Sequence, residues 1–290
     1  MRVVYTRVFA TELGGGNPCP VVLDGAALSD ESMLDLARRF GQDPVFVLPP
    51  EQNGDVCMRY FVPDHEMGVS SHATIAGVTV ALRGKTLPAG EMRVETINGA
   101  FDVTTAPCDD GLLVTVEQLR PTLGKTVDRT DVARVLNIRE DDIVAHQNPI
   151  QSVSVSRAKP LIPLVDWHVL NTLTPDHDAL WNLCESIGVT GLYPFTLRTY
   201  KVNADVEARQ FSLRAGFLEG AATGVAAAAL EAYFARYDLN FVPGVYRFDA
   251  AQGYAMGAPS LIHVIVENGG DAIVRTAIYG SAQIISEETV

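Results

Sequence analysis

The 290 residues are 47% hydrophobic and 20% charged, ample material for one large domain or two modest ones with real cores. Lys and Arg number 22 against 35 Asp and Glu, a formal charge of -13 with no basic cluster, which argues against a surface built to neutralise nucleic-acid phosphates. The four cysteines (Cys19, Cys57, Cys108, Cys184) lack CxxC spacing, the N-terminal stretch has no apolar signal core, and no run reaches the roughly 18 apolar residues of a membrane span; a cytoplasmic protein with neither membrane nor nucleic acid as partner is expected.

In chain order, the runs 2–10 and 19–25 read as strands, followed by a helix over 29–41. There Ser29 is placed to cap, Glu31 and Asp35 sit early, Arg38 and Arg39 late, and Gly41 closes, an order that suits the helix dipole. Strands are expected at 44–50 and 57–63, then a helix over 70–85 with small and apolar residues all round and Gly84 at its end, the pattern of a buried central helix. Strands at 92–99, 101–106 and 112–118 follow, then helices at 129–138 and 176–188, strands at 192–200 and 206–213, an alanine-rich helix at 221–239 and a strand at 260–267. An offset of 150 superposes Arg59 and Phe61 on Arg209 and Phe211, with a small-residue helix beginning a similar distance beyond each. The expectation is an α+β chain of two similar lobes, 1–120 (with a tail of about 276–290 packing back on it) and 121–290, each wrapping strands around one buried helix, with a cleft between them.

The start of a buried helix offers unpaired N–H groups and partial positive charge, a seat for a carboxylate or an enolate-like intermediate. "VSSHA" opens the first such helix and "LEGAATG" the second. Locally, His72 is either a polar neighbour of a Ser70 or Ser71 cap or a group that exchanges protons near neutral pH. Asp43, between a helix end and a strand, is either a turn-capping carboxylate or a base. Glu66 and Glu219 lie upstream of the two helix starts and complement them electrostatically or join the site. Cys19 has no basic neighbour to lower its pKa and reads as a packed thiol. No GxGxxG, P-loop, HExxH or GxSxG pattern is present, which disfavours cofactor-dependent redox chemistry and serine hydrolysis.

Six segments in order carry a resemblance: "RVFATELGGGNPCPVV" (7–22), "GQDPVFVLPP" (41–50), "RYFVPDHEMGVSSHATIAG" (59–77), "RQFSLRAGFLEGAATGVAAAAL" (209–230), "QGYAMGAPSLI" (252–262) and "IYGSA" (278–282). Together they resemble the PhzF-like isomerases, relatives of diaminopimelate epimerase and proline racemase. The resemblance implies a diaminopimelate epimerase-like fold of two homologous lobes, each a β-barrel-like sheet around a central helix, commonly as a homodimer. It also implies a cofactor-free proton shift performed by a glutamate, helped by a histidine and an aspartate. Those positions fall on Asp43, His72 and Gly220. His72 is thus retained, Asp43 is a carboxylate one methylene shorter, and Gly220 has lost its acid.

Further departures are Ser71 and Ala73 beside His72, Val225 in place of a serine and Ala258 in place of an arginine, which together imply a changed substrate. The thiols that racemase relatives carry at the helix starts are missing near Ser70 and Ala221, which disfavours two-base racemisation. The expected enzyme shifts a proton, and with it a double bond, on an unsaturated cyclic amino acid or related small carboxylate, with antibiotic or other secondary-metabolite biosynthesis as its setting. Asp43 is the expected base and His72 its partner. Asn17, Ser70, Ser71, Ala73, Thr74, Glu219, Gly220, Ala222, Thr223 and Gly224 are expected to surround the substrate, without cofactor or metal. A hydratase or dehydratase using Ser70 as acid, or a ligand-binding protein without catalysis, are the alternatives.

Overall fold

Ser29 caps the first helix as its spacing predicts: its hydroxyl accepts the N–H of Ser32, and the chain leaves the helix through Gly41 at φ 61°, a left-handed conformation that glycine adopts without strain. A computed structural model describes residues 1–108, 111–144, 149–199, 203–237, 242–270 and 272–289. The expected strand end at 200 and helix end at 238–239 lie outside the described residues. The chain divides into two compact units, Met1–Glu117 with Ile278–Val290, and Gln118–Ala277.

In the first unit, β1 (Arg2–Val8) runs antiparallel to β2 (Asn17–Val22). Helix α1 (Asp30–Phe40) carries the chain back so that β3 (Val45–Leu48) lies parallel to β2. Its apolar face (Met33, Leu36, Ala37) packs on Val3, Val22, Phe46 and Phe61. Strand β4 (Val56–Phe61) turns back on β3 and is followed by the short β5 (Glu66–Met67). Helix α2 (Ser71–Arg83) crosses to β6 (Glu91–Thr96), parallel to β4, and β7 (Gly99–Cys108) and β8 (Gly111–Glu117) complete a meander. The chain's last strand, Ala282–Thr289, pairs with the free side of β1. Helix α2 packs against β1, β2, β3, β4, β8 and that last strand, so the sheet wraps it. Its small residues make this possible: a Cβ on Gly77 would lie 3.1 Å from the end of Met58, so glycine lets the helix approach β4 closely.

The second unit runs β9 (Thr122–Thr126), α3 (Arg129–Leu136), β10 (Gln151–Ser154), β11 (Lys159–Pro163), α4 (Trp167–Thr172), α5 (His177–Ile187), β12 (Gly191–Thr196), β13 (Val206–Ala208), β14 (Gln210–Ser212), β15 (Glu219–Gly220), α6 (Gly224–Tyr237), β16 (Gly244–Gln252) and β17 (Ser260–Asn268), with most of β18 (Ile273–Gly280). Helix α6 is the counterpart of α2, apolar but for the charged Glu231 and Arg236, and packed on β10, β11 and β17. Helices α3, α4 and α5 close a separate apolar cluster around Leu136, Leu180 and Phe211. The single strand expected over 206–213 is two strands broken at Arg209, whose guanidinium donates to the carbonyls of Leu170 and Leu173 and pairs with Glu219.

The duplication is visible in detail. Arg59 lies over the Phe61 ring (5.2 Å) and pairs with Glu66, while Arg209 lies over Phe211 (4.8 Å) and pairs with Glu219. In both units this ion pair clamps the short hairpin that leads into the buried helix. Among the described residues no helix is long and apolar enough to cross a membrane.

Candidate active site

Asp43 sits two residues beyond the helix-ending Gly41 and two before the start of β3, on a short link held at its own carbonyl and that of Pro44. The Cys19 thiol, from β2, donates to the Asp43 carbonyl at 3.2 Å, and the Pro44 carbonyl accepts from Phe61 N–H. Burial pushes the Cys19 thiol well above its ordinary value, and the nearby Asp43 carboxylate adds to the rise, so Cys19 stays protonated and packed.

The Asp43 side chain reaches the first turn of α2, where its Oδ2 lies 3.8 Å from His72 Nε2. Both side chains are largely buried, 14% and 8% exposed, so any charge carried there is little screened by water. The separation is within ionic reach but too long for a direct hydrogen bond. On the other side of the imidazole, the Ser70 hydroxyl meets Nδ1 at 3.2 Å. Beneath them the Ser70 carbonyl accepts from both the N–H and the hydroxyl of Thr74, at 2.9 and 2.8 Å. Since Thr74 spends its only hydroxyl proton there, the 2.7 Å bond between Thr74 and Tyr60 is donated by the tyrosine. Burial raises the Tyr60 pKa, which keeps that donor protonated.

Asp43, Ser70, His72 and Thr74 are thus brought together. Ser71 and Ala73 complete the buried first turn of α2, and Asn17 opens β2 opposite Val8. The remaining expected residues belong to the second unit. There Glu219 and Gly220 form β15, Ala222 and Thr223 precede α6, and Gly224 begins it. Two readings left open by the sequence are narrowed here. Ser70 stands at the N-cap of α2 but makes no side-chain cap bond, because its hydroxyl is turned to the imidazole. Glu66 and Glu219 do not act as counter-charges for the helix starts: each carboxylate faces an arginine through both oxygens, Glu66 with Arg59 and Glu219 with Arg209.

The start of α6 is held by neutral groups that the sequence did not single out. The Gln252 amide accepts from Thr223 N–H, donates to the Gly220 carbonyl at 2.7 Å, and receives the Tyr193 hydroxyl. The Gln210 carbonyl oxygen accepts from the hydroxyls of Ser212 and Thr223. A Cβ on Gly220 would lie 2.6 Å from that oxygen, so the space where the resemblance places an acid is occupied by an amide. The signal for Gln252 was its place in the "QGYAMG" segment; Gln210 gave none, lying inside an ordinary strand pattern. Among the described residues no three His, Cys, Asp or Glu side chains converge in a way that could hold a metal ion.

The family model for phenazine biosynthesis-like proteins matches residues 6–288. The chain belongs to this family. An uncharacterized isomerase of Escherichia coli, YddE, is 30% identical over 98% of this chain and 96% of its own length. The trans-2,3-dihydro-3-hydroxyanthranilate isomerase of Pseudomonas aeruginosa is 26% identical over 99% and 98% respectively. Among solved structures, a Bacillus anthracis phenazine biosynthesis protein of the PhzF family superposes with a TM-score of 0.91 at 23% identity, covering 100% of this chain and 98% of that one. A hydroxyproline epimerase from Agrobacterium vitis superposes with a TM-score of 0.65 at 12% identity, covering 99% and 91%. This member of the phenazine biosynthesis-like family is an isomerase with the fold shared by PhzF proteins and the proline racemase-type epimerases.

Proposed function

We propose that the protein moves a proton, and with it a double bond, along an unsaturated cyclic amino acid or a related small carboxylate. Asp43 takes the proton from one carbon, the C–H electron pair becomes part of the relocated double bond, and the proton is returned at the far end of the conjugated system. His72 orients and stabilises the carboxylate between these steps, and the backbone N–H groups at the start of α2 favour the developing anion. The reading is carried by one observation, the buried Asp43–His72 pair at 3.8 Å at the buried first turn of a central helix. The α6 start presents amides and hydroxyls in place of a second acid, which supports assigning the proton transfer to Asp43 and His72. Because the Ser70 hydroxyl is spent on the imidazole, the hydratase reading, which needs it as the acid toward substrate, is less well supported.

The relative that isomerises dihydro-hydroxyanthranilate suggests unsaturated ring carboxylates as the class to try, and a secondary-metabolite pathway as the setting. All four cysteines are free thiols, in keeping with a reducing, cytoplasmic environment. The test is NMR in D2O with a panel of unsaturated cyclic amino acids and dihydroaromatic carboxylates. Wild type is expected to place deuterium at a ring or allylic carbon, and Asp43→Asn to lose about 10²–10⁴ of that rate while remaining folded. Full activity in Asp43→Asn would reject the assignment of the base.

A further inference from the structure

We propose that Ser70 is a positioning residue whose hydroxyl sets the tautomer and rotation of the His72 imidazole, so that the neutral ring presents Nε2–H to Asp43. The first ground is what the hydroxyl does not do. Helices α1, α3, α4 and α5 are each capped by a side chain, Ser29, Asp128, Asp166 and Asp176, that accepts a first-turn N–H. Ser70 occupies the same position in α2 with the same extended backbone, φ -145° and ψ 108°, yet makes no such bond. Its oxygen lies instead 3.2 Å from His72 Nδ1.

The second ground is that this aim is held from below. The Ser70 carbonyl takes two bonds from Thr74, and Thr74 takes one from the buried Tyr60, so the serine backbone has little freedom to turn the hydroxyl away. Ser70, Thr74 and Tyr60 are at most 2% exposed, so no bulk water competes for these bonds.

The third ground is the chemistry of a hydroxyl. A neutral imidazole has one N–H and one lone pair, and beside the Asp43 carboxylate the N–H belongs on Nε2. Nδ1 is then an acceptor, and Ser70 donates to it. In the imidazolium both nitrogens carry a proton, Nδ1–H then needs an acceptor, and the same oxygen serves with its own proton rotated aside. A carboxylate would favour only the second state and an ammonium only the first, whereas a hydroxyl holds the ring through both. Ser70 therefore acts through His72 and need not touch the substrate.

The proposal takes its Asp43–His72 partnership from the proposed function, but it is read on the ring itself. The experiment is long-range proton–nitrogen NMR on protein labelled with ¹⁵N-histidine, the His72 signals being identified by their loss in His72→Gln. Wild type is expected to show a single neutral tautomer, protonated at Nε2 with Nδ1 as acceptor. In Ser70→Ala the two tautomers are expected to exchange and both nitrogens to move toward averaged shifts; Ser70→Cys, a weak donor of similar size, should lie between. Protonation of the neutral wild-type ring at Nδ1, or an unchanged pattern in Ser70→Ala, would overturn the proposal. Should Ser70→Ala fail to fold, the wild-type and Ser70→Cys spectra still decide it. Retained turnover in Asp43→Asn would remove the proposed base and leave this measurement standing, so the two readings fail separately.

Discussion

Glu231 lies in the middle of α6 with no exposed surface, a carboxyl surrounded on its helix by alanine, leucine and aromatic residues. Burial pushes its pKa up to about 9, against the lowering effect of a hydrogen bond from the Thr276 hydroxyl. It is therefore protonated in the folded protein at neutral pH. The unfolded chain releases that proton near the ordinary value of 4.5, so between pH 4.5 and about 9 the folded state binds more protons, and stability falls as pH rises through this window. Glu231→Gln keeps the shape and removes the titration; its thermal midpoint should exceed that of wild type at pH 8 and match it more closely at pH 4.5. An equal difference at both pH values would contradict this. Charge on a helix said nothing of such burial beforehand, because a lone acid in an alanine-rich stretch reads equally well as its solvated edge. His72 was ambiguous for a related reason: a cap neighbour and a proton carrier look alike until the direction of the Ser70 hydroxyl is known.

At the scale of elements, the two central helices were recognisable because residues that are small or apolar all round leave no face for water. The ion pairs that clamp the hairpins before them were legible only as the recurrence of Arg59 and Phe61 at Arg209 and Phe211. Their carboxylate partners could not be paired from sequence, because Glu66 and Glu219 precede helix starts while the register of β4 with β5, and of β14 with β15, turns them to the arginines. The Arg209–Glu219 side chains are only 9% and 13% exposed, so breaking the pair strands a shielded charge. Arg209→Met is expected to cost about 3 kcal/mol in chemical denaturation, and adding Glu219→Leu should recover part of the loss. Strict additivity of the two single changes would show that the pair is not coupled. Strands such as β11, "KPLIP", escaped notice because two prolines and a lysine are poor strand signals, yet all five residues are buried.

For the whole molecule, several buried groups combine into one pH profile. Backbone N–H groups of the 51–54 loop hold the Glu95 carboxyl below its usual range, and Arg139 does the same for Asp142. Their stabilisation is present above the ordinary carboxylate range and is lost as pH falls through their lower folded values. On the other side, Glu231 withdraws stability from pH 4.5 to about 9. Burial lowers Lys159 to about 7, so its contribution, complete above 10.5, is lost as pH falls through 7 and opposes Glu231 only in the upper part of that window. The thermal midpoint should therefore peak near about pH 5 and decline toward neutrality. A midpoint rising steadily from pH 5 to 7 would show that Glu231 does not titrate as described, and Lys159→Met should leave the profile below neutrality unchanged and steepen its decline between about pH 7 and 9.

By itself the sequence determined the family, the fold and the residues that deserve attention. Six ordered segments, two all-round apolar helices and a repeated Arg-x-Phe pair are properties of residue type and spacing, which survive without coordinates. Only the tertiary structure decided how those residues are wired. A 3.8 Å approach between Asp43 and His72, a serine that declines its cap for an imidazole, two glutamates claimed by arginines and an amide in the place of an acid all depend on side-chain directions. Those directions are set by strand register and helix rotation, contacts between positions distant in the chain, and no local pattern of residue types encodes them.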